Sequence, residues 1–104
     1  MNIQKQFITI TPDGKIEKKE ITEAPEGEEI NKAVGGYFEL VPYFTNYDGM
    51  PCIAFCNEYG KINKLPFNST ATNAWEDVAP VNGQDHLVGT VVIITGPQSF
   101  LRSM

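Results

Sequence analysis

The spacing of apolar residues changes period along the chain, and each change marks a predicted element. Ile3 to Ile10 and Ile16 to Ile21 flank the turn tetrad TPDG and predict a hairpin. Its second arm carries EKKE, a charged pattern suited to an exposed edge, where lysines discourage association between sheets. EGEEINKAVGG then sets Ile30, Ala33 and Val34 at helical spacing. Pro25 suits the start of this helix, acids fill its first turn and Gly35 can take the left-handed cap that stops it. From Tyr37 to Thr45 a strand is predicted, with Phe38, Leu40 and Phe44 on one face and Tyr37, Glu39, Val41, Tyr43 and Thr45 on the other.

Pro51 to Asn57 pairs back through NYDG (46–49). It places Cys52, Ala54 and Cys56 on one face, small enough to let a helix or a ligand approach closely. A short strand is expected at Ile62 to Leu65. Residues 69–78 set Ala71, Ala74, Trp75 and Val78 as the apolar stripe of a two-turn helix. His86 to Thr95 is apolar on both faces and predicts a central strand, after which Phe100 and Leu101 dock a short tail. TPDG, NYDG, NEYG (57–60) and Asn82-Gly83 supply the turns. The expected fold is α+β: a mainly antiparallel sheet of five or six strands with two short helices. It forms one domain over 1–104, comprising a hairpin (1–22), a core (28–95) and a tail (96–104).

Composition narrows the class of protein. At 104 residues, with 41% hydrophobic and 20% charged side chains, the chain suits a single globular core. No apolar run of about 18 residues is present to span a bilayer, and no membrane association is expected. The N-terminus lacks the apolar region of a signal peptide, so the expected compartment is the cytoplasm. The sequon Asn68-Ser69-Thr70 has little weight there. The net charge of −5 is concentrated in residues 13–39, where eight acids face four lysines, and this disfavours non-specific nucleic-acid binding.

Chemistry is sparse. Cys52 and Cys56, four residues apart on a strand, sit roughly 13 Å from each other, too far to bridge. Their spacing does not suit zinc, and His86 is the one histidine, so no metal, cofactor or catalytic residue is expected. Gly35-Gly36 is no phosphate loop, since neither G-x-x-x-x-G-K nor G-x-G-x-x-G occurs. Glu39 and Glu58 are acid/base candidates without a defined geometry.

VGGYFELVPY (34–43), CNEYGKINKLPFNSTATNAW (56–75) and HLVGTVVII (86–94) resemble, in order and spacing, the family catalogued as domain of unknown function 3846. The resemblance covers about residues 28–95. It implies an origin in a phage, plasmid or bacterial genome, and the family has no established activity to carry over.

The stretch NEYGKINKLPFNSTAT (57–72) has a structural and a functional reading. Asn57 suits the first position of a turn and Asn68 suits a helix N-cap. Alternatively, Asn57 and Lys61 join Asn68, Ser69, Thr70 and Thr72 in holding an anion at the helix start, with Tyr37 and Tyr43 stacking a nucleobase. That arrangement would make the protein a non-enzymatic module of a phage or mobile element, capturing a small anionic ligand such as a nucleotide in an anti-defence role. The competing expectation is an inhibitor or adaptor that docks on a basic host protein through the acidic segment, Glu26, Glu28 and Glu29 foremost. The aromatic residues of 37–59 also suit a core and an interface in a homo-oligomer.

Overall fold

The computed structural model describes residues 3–80, 83 and 85–104. Its elements are β1 (Gln6–Ile10), β2 (Ile16–Glu20), α1 (Gly27–Val34), β3 (Phe38–Leu40), β4 (Asn46–Tyr47), β5 (Met50–Asn57), α2 (Ser69–Glu76), β6 (Val91–Thr95) and α3 (Gln98–Leu101). All strand pairings are antiparallel, in the order β2-β1-β6-β5-β3, with β4 paired to the start of β5. The fold is α+β, as expected, with a four-residue third helix in place of a simple tail.

β6 lies at the centre because its two faces are both apolar. Val91 and Ile93 join Ile8, Ile10, Ala54 and Trp75 on one side of the sheet, while Val92 and Ile94 join Phe7, Ile30, Val34 and Phe55 on the other. α2 therefore covers one face, and α1 with α3 covers the other, Leu101 anchoring α3. Small side chains on β5, Cys52 and Ala54, leave room for Trp75 on the α2 face. β2 is exposed along its whole length, as its charged pattern predicts. The first helix closes as the sequence implies, with Gly35 at φ 81° and its N–H donating to Asn31 O at 2.9 Å.

Five expectations need correction. The strand predicted over Tyr37 to Thr45 is broken. Pro42 lacks an N–H, and Tyr43 takes a left-handed φ of 63°, which turns both Val41 and Phe44 into the α2-side core instead of onto opposite faces. The β4–β5 hairpin turns on Asp48-Gly49, both at positive φ, with Tyr47 facing Met50; this is the Asp-Gly preference of a two-residue hairpin, shifted from the predicted NYDG frame. Ile62 to Leu65 is no strand but a wound turn, in which Asn63 N–H donates to Tyr59 O and Leu65 N–H to Gly60 O, leaving Ile62 exposed. In α2 the buried residues are Ala71, Thr72 and Trp75, whereas Val78 lies beyond the helix and is exposed. The predicted strand from His86 begins only at Val91. Asn82, of the expected Asn82-Gly83 turn, lies outside the described residues.

Candidate functional site

A cleft of about 130 Å³ opens on the α2 side of the sheet. Its floor is apolar: Val41, which follows β3, Trp75 from α2 and Leu87 from the segment before β6. Trp75 is held in place because its indole N–H donates to Pro42 O at 2.8 Å, so the turn that ends β3 and the helix are tied together beneath the cleft. Leu87 is fixed through its N–H, which donates to Thr72 Oγ1 at 2.9 Å.

The rim is charged. Glu39 of β3 faces Cys56 across the pair, and the Cys56 thiol points to Glu39 Oε1 at 3.9 Å. Glu58 follows β5, Lys61 sits in the wound turn, and Asp85 and His86 lead into β6. Lys61 donates to Asp85, which also accepts from the His86 N–H at 2.8 Å. Lys61 beside it, and then the His86 N–H, hold the Asp85 carboxyl below its ordinary value. Three carboxyl groups thus face one ammonium, and that ammonium is already engaged. The His86 ring stands edge-on to Phe67 at 5.6 Å.

Burial and the neighbouring Glu39 push the Cys56 thiol up to about 11, and burial pushes Cys52 to about 12. Both thiols are protonated at neutral pH, the unreactive form. Among the described residues no group of three or more His, Cys, Asp or Glu is placed to hold a metal ion, and no helix is long and apolar enough to cross a membrane.

Of the residues singled out from the sequence for a ligand, Asn57 and Lys61 line the cleft, together with the acid/base candidates Glu39 and Glu58. Asn57 does so as a structural tie. Its Oδ1 accepts from Tyr59 N–H at 2.8 Å, the turn chemistry expected of it, and its Nδ2 donates to Val34 O at 3.2 Å. Gly36 makes room for this amide, because a Cβ there would stand 2.9 Å from Nδ2. The VGG and NEYG motifs therefore meet in space.

Asn68 is 0% exposed and fully engaged. Oδ1 caps α2 by accepting from Ala71 N–H at 3.0 Å, while Nδ2 donates to Ile10 O at 2.9 Å and Gly89 O at 2.8 Å. One side chain ties helix, β1 and the approach to β6. Thr72 is buried, Thr70 half-buried and Ser69 exposed; none of the four lines the cleft. Tyr37 and Tyr43 are exposed outside the cleft lining, and the aromatic residues of 37–59 do not share one face, since Phe44 packs on the α2 side and Phe55 on the other. Glu26, Glu28 and Glu29 lie at the start of α1, on the opposite face of the sheet from the cleft floor, with Glu29 paired to Lys19 at 2.9 Å.

The sequence did not reveal Asp85 or Leu87 as site residues. They come from a stretch without periodicity, and Asp85 meets Lys61 across 24 positions of chain. No local pattern signals that encounter.

A family model described as Domain of unknown function (DUF3846) matches residues 3–100, a span that adds the β1–β2 hairpin and most of α3 to the stretch whose motifs carry the resemblance. No curated protein and no solved structure matches the chain. With nearly its whole length matched, the chain belongs to the DUF3846 family.

Proposed function

We propose that the protein is a non-enzymatic binding module whose cleft receives a basic side chain of a protein partner. One observation carries this reading: a side-chain-sized hollow with a Trp75 and Leu87 floor, rimmed by three carboxyl groups against a single paired ammonium. Its 130 Å³ is close to the roughly 150 Å³ that accommodates one benzene ring and well below the roughly 300–1,000 Å³ of sites that enclose whole small molecules. Phosphate groups would meet the carboxylates, so a nucleotide is disfavoured at this place. Ile62 and Leu40, apolar and 76% and 59% exposed, adjoin the mouth and supply contact area for a macromolecular partner. The protonated thiols fit a role without covalent chemistry. The origin implied by the family resemblance suits an accessory or anti-defence role in a bacterial cytoplasm, with a host protein as the partner.

The test compares three probes of one ring and different charge, benzamidine, benzamide and benzoate, alongside a panel of linear and cyclic nucleotides, by amide NMR titration. Benzamidine should move the Trp75 indole signal and the amides of Glu39 and His86 saturably, with affinity falling as salt rises. Tighter binding of benzoate or any nucleotide in the cleft would overturn the reading.

A further inference from the structure

Resting on that reading, we infer that Lys61 is a built-in competitor for the cleft, a tethered cation that an incoming basic side chain must displace from Asp85. Lys61 reaches Asp85 from the wound turn that follows β5, and both residues line the cleft. Two further carboxyl groups on the same rim, Glu39 and Glu58, take no part in the four ion pairs of the described residues, so the rim offers an external cation more than Lys61 draws from it.

The exchange is cheap for a physical reason. Both side chains of the pair remain about half exposed, at 54% and 48%, and such screened pairs contribute little. Lysine is also a point charge on a flexible stem, which can swing into water without disturbing the fold, whereas a planar guanidinium can bind a carboxylate through two parallel hydrogen bonds. The competitor lowers apparent affinity by the fraction of time that Asp85 is free, a reduction of roughly two- to five-fold. Lys61 thereby selects partners: weak or neutral groups fail to displace it, and groups able to engage several carboxylates succeed.

The experiment is a benzamidine titration of the whole protein and its variants, read by Trp75 fluorescence and amide shifts. K61M and K61Q should tighten binding by roughly two- to five-fold, K61R should bind at least as weakly as the wild type because its guanidinium holds Asp85 more firmly, and D85N should weaken binding. Unchanged or weakened binding in both K61M and K61Q, with benzamidine still binding the wild type, overturns the competitor role and leaves the cleft reading intact. Absence of benzamidine binding to wild type and K61M alike overturns the cleft reading itself. Thermal unfolding of each variant checks that the exposed substitutions leave the fold unchanged.

Discussion

Substituting Asn68 separates two jobs that one buried amide performs. The side chain is 0% exposed, with its oxygen on Ala71 N–H and its nitrogen on the carbonyls of Ile10 and Gly89. Asn68→Ala loses the cap, about 1 kcal/mol, and leaves two buried carbonyls short of a donor at about 1 kcal/mol or more each, giving a loss of roughly 3–4 kcal/mol. Against a typical domain stability of about 5–15 kcal/mol this is a large fraction. Asn68→Ser keeps a capping oxygen and should cost less. Asn68→Asp also keeps the cap but turns an oxygen toward both carbonyls and buries a charge, so at neutral pH it should be at least as damaging as alanine. Urea unfolding followed by the fluorescence of Trp75, the single tryptophan, gives the ranking, provided the variants share one m-value. In thermal unfolding the alanine variant should fall by about 12 °C or more. An aspartate variant within about 1 kcal/mol of wild type would refute the argument, because the two donor bonds would then contribute nothing.

Two further outcomes follow from the same packing. Gly36→Ala should destabilise by roughly 1–3 kcal/mol, because its Cβ would stand 2.9 Å from Asn57 Nδ2, and the Gly36→Ala/Asn57→Ala pair should cost clearly less than the two single losses added together. Strict additivity in a double-mutant cycle would show that the two sites do not touch energetically. The thiols should label slowly with a disulfide reagent at pH 7.5 in the native protein and rapidly after unfolding, because folding raises Cys52 to about 12 and Cys56 to about 11. The raised folded values mean that both groups hold their protons more tightly when folded, so the native state loses stability as pH rises above the unfolded value near 8.5. Prompt labelling of native Cys56 would contradict the protonated thiol.

The fold was legible where the pattern is local. Alternation marked β5 and the both-sided burial of β6, Gly35 marked the end of α1, and Asn68 marked the start of α2, since each signal depends on residues within a turn or two of one another. Where a single residue overrode a longer pattern, the sequence misled. Pro42 and the left-handed Tyr43 broke an apparently continuous strand, and the wound turn at 59–65 took up Ile62 and Leu65 that could as easily have alternated. The asparagines illustrate the boundary well: their turn and cap roles follow from sequence position, but the reach of Asn68 to Ile10, 58 residues away, does not.

The sequence by itself determined that this is an acidic α+β domain with a charged edge strand, because composition and short-range spacing govern those properties. Only the tertiary structure decided the cleft. The cleft is made by Glu39, Lys61, Trp75 and Asp85, drawn from four separate parts of the chain and brought together by the burial of β6 and the docking of Trp75. Hydrophobic burial is non-directional and acts across any chain separation, so the charges it carries into proximity leave no periodic trace in the sequence.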